Sequence, residues 1–145
     1  MNNLGLPLPD KIQEALQANL TAIEDGSLKF PPLSKLSEVR QLTPQEVRAR
    51  CARTTPPLLL DVREPDEFNG ELGHIPGSVQ VSLKELPSRA GEFTPFKQRD
   101  VIVICRAGVR STTAAAILTG LGFEHVANLK GGMLDWNEAQ LPVAH

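Results

Sequence analysis

Val101-Ile102-Val103-Ile104-Cys105-Arg106-Ala107-Gly108-Val109-Arg110-Ser111 is the stretch on which the reading of this chain turns. Its first four residues are all β-branched and apolar, the pattern of a short strand buried on both faces in a parallel sheet. Cys105 therefore stands at a strand's carboxyl end. Beyond Ser111 the chain becomes rich in Ala and Leu, and Ala114, Ile117, Leu118 and Leu121 recur at helical spacing. Residues 112–121 are thus expected to form an amphipathic helix, with Ser111 as its N-cap. Strand, tight loop and helix start together surround the loop with backbone N–H groups and the positive end of a helix dipole. A thiol in that setting, flanked by Arg106 and Arg110, is expected to favour its nucleophilic thiolate form. Gly108 permits a positive φ or a close approach to a bound group, and the two guanidinium groups suit an anionic substrate. The competing reading is a structural cysteine at the end of a core strand. Two arginines and a glycine in the five residues after it argue against that.

The chain has 145 residues, enough for one domain with a sizeable core. A net charge of -2 with interspersed signs offers no basic face to nucleic acid or to an anionic membrane. Two cysteines make no disulfide framework and fit a reducing compartment. The start, Met1-Asn2-Asn3, lacks a basic run followed by a long apolar one, and no segment approaches the roughly 20 apolar residues of a membrane helix. A soluble cytoplasmic protein is expected. The histidines and cysteines have no ligand spacing, so neither a metal nor an organic cofactor is expected.

Residues 1–36 read as an extension and 37–145 as the globular domain. In the extension Ile12, Leu16, Leu20 and Ile23 repeat at helical spacing, after Asp10 as N-cap and before Gly26, and Pro31-Pro32 then break the chain. The apolar stripe of that helix would pack on the domain, on a second copy in a homodimer, or on a donor or acceptor partner protein. A first strand is expected over 39–42. Thr43-Pro44 followed by Glu46 is a helix start with N-cap, N1 proline and capping-box glutamate. Cys51 falls near the end of that helix among Arg48, Arg50 and Arg53, which would raise its reactivity, but no glycine loop frames it. Residues 58–62 form a second strand leading into Asp61-Val62-Arg63-Glu64, and 79–81 a third. Residues 83–89 read as a short helix, 93–100 as a polar connection, and 125–129 as the last strand. Five strands alternating with helices predict an α/β fold with a central parallel sheet and helices on both faces. In such sheets the ligand site lies at the carboxyl ends of the strands, where Asp61, Cys105 and the loop at Gly131 all fall.

Three stretches carry a resemblance to a known family: the six-residue loop 105–110, the run Asp61-Val62-Arg63-Glu64 followed by Pro65, Glu67 and Phe68, and the turn Gly73-His74-Ile75-Pro76-Gly77-Ser78. With Lys130-Gly131-Gly132-Met133-Leu134-Asp135-Trp136 they are similar to the rhodanese family of sulfurtransferases, over roughly residues 38–143. The resemblance implies a rhodanese-like three-layer fold with a five-stranded parallel sheet. It also implies Cys105 as the catalytic residue and a binding loop made of Arg106, Ala107, Gly108, Val109 and Arg110. Arg63 is placed between an ion pair with Asp61 and the rim of the substrate pocket. The implied reaction moves a sulfane sulfur from thiosulfate or a protein persulfide to cyanide or a thiol, through a cysteine persulfide. Related phosphatases use a loop one residue longer; here four residues separate Cys105 from Arg110, a pocket better suited to sulfur than to a phosphoryl group. A phosphatase or arsenate reductase using the same loop, and a non-catalytic binding module, are the alternatives. The segment between Phe68 and His74 is longer than the family's, and Ser78 replaces a small apolar residue. His74 is expected to hydrogen-bond loop backbone, the paired glycines to let the chain pass close to the cysteine loop, and Trp136 to serve as a core or rim aromatic.

Overall fold

The computed structural model describes residue 36 and residues 38–145; the helix expected over 11–25 and the proline break lie outside them. Strands β1 (Arg40–Leu42), β2 (Leu58–Asp61), β3 (Val79–Gln80), β4 (Asp100–Ile104) and β5 (His125–Leu129) form one sheet in the order β1-β5-β4-β2-β3. Every pairing is parallel. Between and after the strands lie α1 (Pro44–Cys51), α2 (Pro65–Phe68), α3 (Leu86–Arg89), α4 (Val109–Gly120) and α5 (Gly132–Glu138).

The β-branched run occupies the centre of that sheet, and its period of two divides the core. Val101 and Val103 enter a cluster with Leu60, Leu86, Phe93, Ile117 and Leu118, under α3 and α4. Ile102 and Ile104 enter the opposite cluster with Val47, Met133 and Trp136, under α1 and α5. All four strand residues are 0% exposed, and a buried aliphatic side chain of this size contributes about 1.5–3 kcal/mol. The outcome is three layers, with helices covering both faces of the sheet.

α1 begins as its sequence requires. The Thr43 hydroxyl accepts the Glu46 N–H at 3.1 Å and the Glu46 carboxylate accepts the Thr43 N–H at 3.2 Å, with Pro44 in the first turn. Three expectations need correction. α4 starts at Val109, because Gly108 at φ 91° turns the chain directly from the loop into the helix; Ser111 is therefore inside the first turn and is not the N-cap. Leu121 lies past the helix end and is 43% exposed, so the apolar face of α4 ends at Leu118. Residues expected to form a polar connection instead begin with a 3₁₀ helix, Ala90–Phe96, which buries Phe93 against β4. The chain's end is tied back by a short antiparallel bridge between Ala144 and His74.

Candidate active site

The carboxyl ends of β4, β2 and β5 converge on the loop after Ile104. Cys105 is 1% exposed, and its Sγ accepts the Gly108 N–H at 3.0 Å. That bond requires the loop to curl back on itself, which Gly108 does at φ 91°. A Cβ at Gly108 would lie 3.1 Å from the Gly131 nitrogen, so the position needs glycine for space as well as for conformation.

The loop's carbonyls are held from behind. The Cys105 oxygen accepts the Met133 N–H at 2.9 Å and the Arg106 oxygen accepts the Leu134 N–H at 3.0 Å, both donors belonging to the first turn of α5. A helix start leaves its first N–H groups without intrahelical acceptors, and here two of them bind the loop. With the Cys105 and Arg106 carbonyls turned to α5, the loop turns the Gly108 N–H toward the sulfur. The close approach depends on Gly132, where a Cβ would stand 2.4 Å from the Cys105 oxygen and 2.5 Å from that of Arg106. The expected role of the paired glycines is the observed one.

Ser111 provides a second contact to the sulfur, its Oγ lying 3.2 Å from Cys105 Sγ. Ser111 is fully buried and also hydrogen-bonds Asn128 Oδ1, on β5. The Asn128 amide nitrogen donates to Gln41 Oε1 at 2.6 Å and to the Gly108 oxygen at 3.2 Å, which fixes which way the amide points. Neither Ser111 nor Asn128 stood out as a site residue in the sequence. The signal for Asn128 is a polar, strand-averse residue within an otherwise apolar strand run. Ser111 was obscured by placing the helix start three residues too late.

The arginines separate into three situations. Arg106 is exposed and makes no ion pair with any described residue. Arg110 is held by Glu67 of α2 through two parallel bonds, Nη1 to Oε1 at 2.7 Å and Nη2 to Oε2 at 2.8 Å. The Arg110 guanidinium, by donating to this carboxylate, keeps the Glu67 carboxyl down at about 2, and the Arg110 guanidinium is itself raised by the same pairing. Arg63 is 1% exposed, and of the two roles left open for it the geometry shows the ion pair. It bonds Asp61 through Nε at 2.9 Å and Nη2 at 2.7 Å, and donates further to the backbone oxygens of Gly73 at 2.7 Å and Glu67 at 3.1 Å. Arg63 thus stitches the end of β2 to α2 and to the turn at Gly73 rather than presenting its charge at the loop mouth. Ala107 and Val109 are half-buried parts of the loop.

His74 donates from Nδ1 to the Phe68 carbonyl at 2.8 Å and stacks on the Phe68 ring at 3.6 Å between centroids, the backbone-holding role expected of it. Trp136 is 1% exposed, its indole N–H donating to the Pro142 carbonyl at 2.8 Å. Cys51 differs from what its basic neighbours suggest. Burial pushes its thiol up, with Arg48 opposing only in part, while Arg50 and Arg53 are turned to Asp100 at 3.2 and 3.6 Å. No group of three or more metal-ligating side chains occurs among the described residues, and no helix there is long and apolar enough to cross a membrane.

Residues 43–139, which hold Cys105 with its loop, Ser111, Asn128 and the Arg110–Glu67 and Arg63–Asp61 pairs, match the family model of the rhodanese-like domain. The chain belongs to the rhodanese-like domain family. Similar proteins bear names that agree with this. A protein of Allochromatium vinosum named sulfurtransferase is 36% identical over 105 residues, 72% of this chain and 94% of that one. The thiosulfate sulfurtransferase GlpE of Ectopseudomonas mendocina is 36% identical over 104 residues, 70% of this chain and 87% of that one. Among solved structures, a rhodanese-related protein of Thermoplasma volcanium superposes with a TM-score of 0.63 at 27% identity, covering 72% of this chain and 97% of that one. The family resemblance seen in the sequence is thereby confirmed, and so is the five-stranded parallel rhodanese-like fold.

Proposed function

We propose that this rhodanese-like domain is a sulfurtransferase that carries sulfane sulfur on Cys105. The observation that carries the reading is the sulfur's position: at the end of the central strand, inside a curled loop, with a backbone N–H at 3.0 Å and a hydroxyl at 3.2 Å. Those donors suit a cysteine sulfur that is anionic when it attacks the donor and again when it leaves as thiolate, and they require no metal. In the first half-reaction the Cys105 thiolate attacks the outer sulfur of thiosulfate; the S–S bond of the donor breaks, its electron pair leaves with sulfite, and a Cys105 persulfide anion remains. In the second, cyanide attacks the outer sulfur, thiocyanate departs, and the thiolate is regenerated. A protein persulfide as donor and a thiol as acceptor follow the same bookkeeping.

The arginines divide the work. Arg106, exposed and unpaired among the described residues, is placed to orient an anionic donor, whereas Arg110, tied to Glu67, holds the loop against α2. Steady-state formation of thiocyanate from thiosulfate and cyanide tests the reading. Arg106→Ala is expected to raise KM for thiosulfate by about tenfold, the worth of a charged hydrogen bond, with kcat little changed. Absence of thiocyanate from the parent protein, with no transfer from a protein persulfide either, would overturn the assignment.

A further inference from the structure

The Ser111 hydroxyl lies between two acceptors, Cys105 Sγ at 3.2 Å and Asn128 Oδ1, and it has a single proton. Asn128 cannot turn its amide nitrogen to Ser111, because that nitrogen already serves Gln41 and the Gly108 carbonyl. A protonated Cys105 satisfies the array one way: S–H donates to Ser111 Oγ, and the Ser111 O–H donates to Asn128. A sulfur anion gains a donor beyond the Gly108 N–H only if the Ser111 O–H turns to it. We propose that Ser111 is a positioning residue that moves its proton donation from Asn128 to the sulfur when Cys105 loses its proton to solvent, stabilising the thiolate. Asn128 is the acceptor that holds the hydroxyl whenever the sulfur carries its proton. This deepens the sulfurtransferase reading and, for the thiolate's use in transfer, rests on it.

The charged groups around this array are Arg106 and Arg110 on the loop and α4, Glu67 on α2 and the Asp61–Arg63 pair at the end of β2. Beyond them, Asp135 lies beside Gly131, and Lys130 follows β5 with an exposed side chain. All of them are retained when the hydroxyl alone is removed, so a change in the thiol's titration reports the hydroxyl.

The test uses the full chain carrying Cys51→Ser, so that Cys105 is the one thiol. The rate of alkylation by iodoacetamide is followed against pH, and folding is checked by the thermal transition. Ser111→Ala is expected to move the midpoint of the profile upward by about one pH unit, as loss of one of two donors to the anion requires. Ser111→Thr, which keeps a hydroxyl, is expected to return it most of the way. A Ser111→Ala profile superimposable on the parent's, or an equal upward shift in Ser111→Thr with a folded protein, would overturn the proposal. Sulfur loading from thiosulfate is measured on the same samples by mass. Should the parent take up sulfur neither from thiosulfate nor from a protein persulfide while the alkylation midpoint still moves, the sulfurtransferase reading fails and the donor switch stands; loading without a shift gives the reverse.

Discussion

At the scale of single residues, Glu67 is the group whose charge most directly supports the loop. Its carboxyl, held at about 2 by the Arg110 guanidinium, would sit near 4.5 in the unfolded chain. A depressed folded value means that the stabilisation is complete above about pH 4.5 and drains away as pH falls toward 2. The pair is roughly a quarter exposed, at 28% and 29%, so about 1 kcal/mol is at stake. Urea midpoints should therefore fall between pH 4.5 and 2 by more in the parent than in Glu67→Gln; parallel curves would show that the pair contributes nothing. Thr113 gives the opposite sign. Its hydroxyl is buried with no hydrogen-bond partner among the described residues, so Thr113→Val should raise stability by about 1 kcal/mol in the same measurement. Much of the site was legible at this scale: Cys105 and Gly108 declared themselves by residue type beside a core strand. Glu67 as partner of Arg110 was not, because the two lie 43 positions apart and no local pattern links them.

Among elements, the contact that matters most is the start of α5 against the cysteine loop. Gly132→Ala would drive a Cβ to 2.4 Å from a backbone oxygen at a position with φ 58°, and neither partner is a flexible side chain. The loop must shift, and a displacement of this order costs about a hundredfold in turnover. Gly120→Ala is the control. Its Cβ meets nothing within 4 Å at the end of α4, and it should gain roughly 0.5 kcal/mol with activity intact. Arg63 joins β2, α2 and the Gly73 turn through a fully desolvated pair. Arg63→Met leaves the buried Asp61 carboxylate unmatched and should cost about 3–5 kcal/mol, visible as a large fall in thermal midpoint. The capping box of α1 was readable residue by residue because its chemistry is local. The start of α4 was misjudged because a serine makes a good cap, while the true start is set by a glycine's positive φ that composition does not reveal.

For the molecule as a whole, order along the chain already implied the architecture. Short apolar strands alternating with helices force parallel crossovers, and parallel sheets bury both faces, so Val101, Ile102, Val103 and Ile104 had to lie at the centre. Sequence could not supply the strand order, since β1 pairs with β5 across most of the domain's length. Nor could it show that Asn128 of β5 would meet Ser111 of α4, a contact that exists only once those strands are adjacent. The assembled molecule places one thiol among donors at the sheet's carboxyl edge and leaves the other in a half-buried helix end where burial disfavours its thiolate. That asymmetry is the central claim, and the intact mass of the protein after thiosulfate treatment tests it most directly, with and without cyanide, alongside Cys105→Ser and Cys51→Ser. The account predicts a gain of one sulfur in the parent and in Cys51→Ser, removed by cyanide and absent from Cys105→Ser. Sulfur retained by Cys105→Ser, or lost in Cys51→Ser, would contradict it.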